Sequence, residues 1–185
     1  MEQVNKIRAK KMMLWFSMIS ISMTFAGLTS AYVVSKSRPD WLEDFSLPAS
    51  LYWSTLVILL SSLTFWLAKK ELTKQSKTTA AYLWATLALA IAFVMFQFQG
   101  FSSLVEMGYY FTGAQSNVTT SFLYVLLLVH LAHLVAGLIV LLVVITNLNR
   151  GKYATNPLGF SLAHTFWHFL GFLWVYLFLF LYFLR

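Results

Sequence analysis

The sequence has no cysteine, and that excludes disulfides, thiolate metal ligands and cysteine nucleophiles. It also has little charge. Only 10% of its 185 residues are Asp, Glu, Lys or Arg, against about 25% in soluble domains. The missing charge is replaced by apolar side chains, which make up 59% of the chain, so the composition is that of a membrane protein. Acidic residues number six, and three of them (Asp40, Glu43 and Asp44) fall in one polar loop. No period of 20 to 50 residues repeats, which excludes a solenoid, and no similarity relates the two halves as in repeat-built transporters.

The apolar runs are long enough to cross a membrane. A helix rises about 1.5 Å per residue through a hydrocarbon core of about 30 Å, so about 20 apolar residues suffice. Five such spans are expected, at about 12–34, 49–68, 80–101, 119–145 and 158–184, in a single all-α transmembrane domain over 1–185. The basic start MEQVNKIRAKK leads into an apolar run too long for a signal-peptide core, so the first span is read as retained.

Positive residues set the expected orientation. Lys6, Arg8, Lys10 and Lys11, then Lys69, Lys70, Lys74 and Lys77, then Arg150 and Lys152 all fall on one side of an alternating five-span layout. Only Lys36, Arg38 and Arg185 fall on the other, which places the N-terminus in the cytoplasm and the C-terminus outside. Trp15, Trp66 and Trp84 near the inner interface and Trp41 and Trp53 near the outer one agree. The net charge of +7 is thus a matter of orientation, and no nucleic-acid partner is expected.

None of the five spans contains Asp, Glu, Lys or Arg, which argues against an ion-coupled carrier, whose coupling needs a group that changes charge in the membrane. Hydroxyls, glutamines and histidines are the polar groups that remain. Ser20, Thr24, Gly27 and Ala31 share one face of the first span, and Ser54 and Ser61 lie a heptad apart on the second; both read as helix-packing positions. Gln97 and Gln99 point in different directions, one toward a neighbouring helix and one toward the interface. The sequon Asn117-Val-Thr119 reads as a chance tripeptide.

The four histidines occur as two pairs beside glycines: His130, His133 and Gly137 on span four, and His164, His168 and Gly171 on span five. Each set falls on one helical face. Facing imidazoles can bind haem iron, copper or zinc inside a bundle, giving a small bis-histidine membrane oxidoreductase. They can equally lock helices by hydrogen bonding, and no carboxylate is present in the spans to orient a ligating ring.

Trp167-His168-Phe169 followed by Trp174 resembles the C-terminal WHF…W helix of subunit III of haem-copper terminal oxidases. His130-Leu-Ala-His133 with Gly137 resembles that family's HGLH…G helix. The segments STLVILLSSLTFWLAKK and FAGLTSAY resemble two earlier helices, in the family's order. The likeness is to the five-helix form, and FAGLTSAY is most similar to oxidases of the Bacteroidetes type.

The resemblance implies an accessory subunit with no catalytic or metal-ligating residue of its own. It would pack mainly against oxidase subunit I, with subunit II also a partner; haem and copper belong to those catalytic partners. It further implies bound phospholipid, support of proton uptake and turnover, and, in the Bacteroidetes type, association with alternative complex III. On this reading His130, His133 and His168 make interhelical hydrogen bonds. The family's carboxylates at the positions matching Ile21 and Gly171 are missing, so their roles do not carry over.

Overall fold

A computed structural model describes residues 2–39, 41–42, 46–72, 77–113, 116–154 and 156–184. Asp40, Glu43, Asp44, Lys74 and Arg185, used above in reading the loops and their charges, lie outside the described residues. The elements are α1 (Glu2–Ser35), α2 (Ala49–Glu71), α3 (Lys77–Glu106), α4 (Val118–Asn149) and α5 (Leu158–Leu184), with one 3-10 turn at Lys152–Ala154. The described residues contain no strand, and all five helices are long and apolar enough to cross a membrane.

Several helices run past their expected ends. α1 begins about ten residues before Met12, because Lys, Arg, Ala and Gln are good helix formers and no Gly or Pro interrupts them. Where hydrophobicity ends, the helix does not have to. Starts and stops follow local chemistry instead: Pro48 precedes α2, and Gly108 and Gly151 adopt positive φ just after α3 and α4.

The order of packing follows from which faces are filled. α2 and α3 form the most intimate pair, α5 packs against α1, α2 and α4, and α3 meets α4. α2 turns Leu51, Ser54, Ile58, Ser61, Phe65 and Ala68 inward at alternating three- and four-residue steps. Two glycines permit the closest approaches of α5. A Cβ at Gly137 of α4 would stand 2.6 Å from Leu170 Cδ1, and one at Gly171 would stand 3.0 Å from Ser62 Oγ of α2.

The small-residue face of α1 is not covered within this chain: Ser20, Thr24, Gly27 and Ala31 are exposed, Thr24 bonds back to Ser20 O, and nothing lies within 4 Å of a Cβ at Gly27. The face that turns inward carries Met18, Phe25, Thr29 and Tyr32. Its rings fill the space: Phe25 meets His130 and His133 of α4, and Tyr32 meets Trp41, Phe122 and Phe180. In lipid both faces of a helix are apolar, so shape decides which one turns inward.

Gly137→Val drives a branched side chain into Leu170 and Trp167 and is expected to destabilise the bundle by about 1–3 kcal/mol. Thermal unfolding of the solubilised chain, followed by circular dichroism, measures this. Gly27→Ala in the same measurement leaves the midpoint unchanged.

Candidate functional site

α5 places its motif residues where three helices converge. Trp167 and Trp174 are a heptad apart, so both indoles leave α5 on one side, toward α2. Trp167 Nε1 donates to Ser61 Oγ at 3.1 Å, and Trp174 Nε1 donates to Thr55 Oγ1 at 2.9 Å. Seven residues forward on α5 match six residues backward on α2, as two antiparallel helices require. Gly171 lies between the two indoles, against Ser62 and Ile58. The helices are thus pinned on both sides of their closest contact. Thr55 passes its own proton to Leu51 O, so its hydroxyl both donates and accepts within the protein.

Several other polar groups in the spans also bond across helices, while among the described residues the buried hydroxyls of Tyr32, Ser50 and Thr79 meet no hydrogen-bonding partner. Gln97 Nε2 donates to Ser54 Oγ at 3.2 Å in the buried α2–α3 interface, while Gln99 is exposed, which is the division the sequence indicates. Thr64 and Thr86 share a hydrogen bond of 2.9 Å across the same interface. Thr29 of α1 and Tyr176 of α5 share another, of 3.1 Å. Asn117 caps α4 by a capping box with Thr120, and Thr119 Oγ1 accepts from Leu42 N, so the sequon residues hold the loops at that end.

The histidines do otherwise than expected. His130, His133 and His168 make no interhelical hydrogen bond among the described residues. His133 Nδ1 lies 2.7 Å from Val129 O on its own helix, and His168 Nε2 lies 2.9 Å from His164 Nε2, one turn back on α5. In that pair one ring carries the proton and donates it to the other. His130 is almost fully buried, and neither ring nitrogen meets a hydrogen-bonding partner. Its ring instead sits among Phe25, Phe93 and Trp174, with centroids 6.4, 6.2 and 5.1 Å away. Enclosure by these rings leaves the imidazole's polar nitrogens in an apolar setting.

The physical reason is that indole is the better lock. It offers one directional donor on a large apolar body, whereas imidazole must also satisfy an acceptor. The sequence carried a signal for this: two tryptophans at heptad spacing on one apolar helix, and Thr55 and Ser61 near heptad spacing on another. Nothing in it pairs Thr29 with Tyr176. Phe169 is half-buried and faces the α1 side, where it lines an apolar cavity of about 180 Å³ with Ser22, Phe25 and Ala26.

Facing imidazoles suggest haem or metal, and among the described residues no three His, Cys, Asp or Glu side chains come together as a three-ligand metal site needs. His164 and His168 are engaged with each other, and His130 is enclosed by rings.

Comparison with known proteins gives one family. Residues 40–185 match the family model for cytochrome c oxidase subunit III. Cytochrome bo(3) ubiquinol oxidase subunit 3 of Pseudomonas aeruginosa is 29% identical over 170 residues, covering 89% of this chain and 79% of that protein. Cytochrome c oxidase subunit 3 of Bacillus sp. strain PS3 is 29% identical over 171 residues, covering 89% and 80%. The subunit of that name from Alkalihalophilus pseudofirmus is 32% identical over 126 residues, covering 67% and 60%.

A double-mutant cycle on Trp167→Phe and Ser61→Ala is expected to show a coupling of about 0.6 kcal/mol, and no more than about 1.7 kcal/mol, as membrane hydrogen bonds do. His130→Leu, which loses no such bond, changes stability by less than about 1 kcal/mol. Both are read from unfolding midpoints of the solubilised protein.

Proposed function

The chain belongs to the cytochrome c oxidase subunit III family and is a subunit III of a haem-copper terminal oxidase, and from that premise we propose that it acts as a scaffold and not as a redox centre. It is a multi-pass membrane protein associated with the oxidase catalytic subunits. In our reading its main contact is subunit I, with subunit II a further neighbour. Those partners hold the haems and copper, reduce oxygen to water and pump protons. The subunit sustains proton uptake and turnover stability, binds phospholipid, and lies in the bacterial inner membrane with its N-terminus in the cytoplasm. Membership of a supercomplex with alternative complex III belongs to the same proposal.

One observation carries the scaffold reading. The polar side chains between the helices bond to one another: Trp167 to Ser61, Trp174 to Thr55, Gln97 to Ser54 and Thr64 to Thr86. A chain that moved electrons or protons itself would instead direct unsatisfied or titratable groups toward a ligand or a water path. Three of the histidines bond to each other or to their own backbone, and His130, whose ring nitrogens have no hydrogen-bonding partner among the described residues, is enclosed by Phe25, Phe93 and Trp174.

Purification from native membranes in a gentle detergent tests the proposal. The chain is expected to travel with larger subunits that show an oxidase reduced-minus-oxidised haem spectrum, and that spectrum stays with them when this chain is stripped away. Haem that follows this chain alone would refute it. His168→Ala is expected to leave the haem bands of the assembled enzyme unchanged while shortening its active lifetime during turnover.

A further inference from the structure

One polar group of α5 is left half-open beside the tryptophan pins. His164 is buried against Phe65 of α2, whereas His168, one turn further on, is half-buried. Trp167 and Gly171 turn toward α2, and His168 stands about 100° round the helix from Trp167, so it looks out of the seam between α5 and α2. Ten residues of α5 precede it. That is about 15 Å of helix, which sets His168 near the middle of a hydrocarbon core of about 30 Å.

A neutral imidazole carries one N–H and one acceptor lone pair. The bond between the two Nε2 atoms uses one of each, so the pair still presents one N–H and one lone pair on its Nδ1 atoms. Among the described residues neither Nδ1 has a hydrogen-bonding partner. Other polar side chains on open faces close onto their own backbone. Ser17, Ser22 and Thr24 of α1 do so, and His133 does so through Nδ1. The His164–His168 pair does not.

The ground beside the pair is cationic. Lys69 acts electrostatically on both rings. Ser62, Trp66 and Lys69 follow at i, i+4 and i+7, so they share one flank of α2, and Ser62 meets α5 at Gly171. The spans supply no Asp or Glu to answer this charge; Glu71 and Glu106 close α2 and α3 at their ends. Trp66 on α2 and Phe172, a turn beyond His168 on α5, are both exposed, so this chain leaves the seam uncovered.

In hydrocarbon an ionisable side chain faces protein or water and pairs with another polar group. We propose that the α2–α5 seam is the docking site for a transmembrane helix of a neighbouring subunit that presents a carboxyl side chain to the His164–His168 pair. The unpartnered Nδ1–H donates to a carboxylate oxygen, and the Lys69 ammonium offsets its charge. This rests on the reading of the chain as an oxidase subunit, and it names the face and the chemistry of the contact. A carboxylate suits the seam better than a hydroxyl or an amide, because it brings the negative charge that the spans of this chain lack. A lipid headgroup stays at the interface, about 15 Å from His168, and cannot make the contact.

The test uses the complete oxidase in its native membrane. p-Benzoylphenylalanine replaces Trp66 or Phe172, which flank the pair on α2 and α5, and the membranes are irradiated. Mass spectrometry is expected to find the same neighbouring helix joined to both positions, with an Asp or Glu within about two turns of the attachment sites. Products joined only to lipid, or to a helix without an acid there, would overturn the proposal.

His168→Phe keeps a ring and removes the donor. It is expected to weaken retention of this chain on the haem-bearing subunits about three- to tenfold in a detergent wash. Changing the identified acid to its amide weakens retention to the same degree, and the two changes together add little beyond either alone. Full retention by His168→Phe, or fully additive losses, would overturn the contact. The amide variant leaves this chain unaltered, so its effect is read even where His168→Phe also loosens the bundle. Haem-bearing subunits are recorded in each wild-type preparation. Their absence overturns the reading of the chain as an oxidase subunit, while their presence without the crosslinks overturns only this contact.

Discussion

A polar group within hydrocarbon must find its partner inside the protein, and the two indole hydrogen bonds from α5 to α2 show how this chain meets that constraint. Trp167 and Trp174 bury large apolar bodies and deliver one proton each to Ser61 and Thr55. Gly171 between them lets the backbones close. Together they fix the depth, rotation and separation of α5 relative to α2 in one stroke. α3 then attaches to α2 through Gln97 and Thr86, α4 seats Gly137 on α5, and α1 attaches through Thr29 and the ring of Phe25. Because lipid is as apolar as leucine, shape and these few directional bonds supply the specificity that water would supply in a soluble bundle.

The number and placement of the helices were legible because hydrophobic length is a one-dimensional property of the sequence. Their ends were less so: α1 continues through its basic segment because helix propensity persists after apolarity stops. The orientation of each helix about its axis was partly legible. Ser54 and Ser61 announce the buried side of α2, since a hydroxyl at heptad spacing gains by meeting another helix. On α1 the same pattern, Ser20, Thr24 and Gly27, is left uncovered by the other helices of this chain. Hydroxyls on a helix can satisfy themselves on their own backbone, as Thr24 does with Ser20, so such a stripe carries no direction of its own.

The histidines teach the complementary lesson. Spacing put each pair on one face, which is right, but it says nothing about what that face meets. His164 and His168 meet each other because one helical turn brings their Nε2 atoms within hydrogen-bond distance. His133 bonds Val129 because its own backbone is the nearest carbonyl. His130 ends in an aromatic box because Phe25 arrives from α1 and Phe93 from α3, helices far from it in sequence. Only the assembled bundle shows that the tryptophans beside them make the bonds between helices.

A subunit with uncharged spans has few groups with which to act on proton chemistry directly. With no carboxylate or amine at membrane depth, its titratable groups there are histidines and tyrosines, and the rest of the field it contributes comes from fixed dipoles. Its charges are concentrated at one end, in Lys6, Arg8, Lys10 and Lys11, in Lys69 and Lys70, and in Arg150 and Lys152. Such a belt attracts anionic headgroups, while the rigid helices above it exclude water. Any influence on a neighbouring redox subunit therefore passes through packing and through the lipids gathered at that belt. That follows from where the charge is, and it sets the kind of subunit this sequence can be.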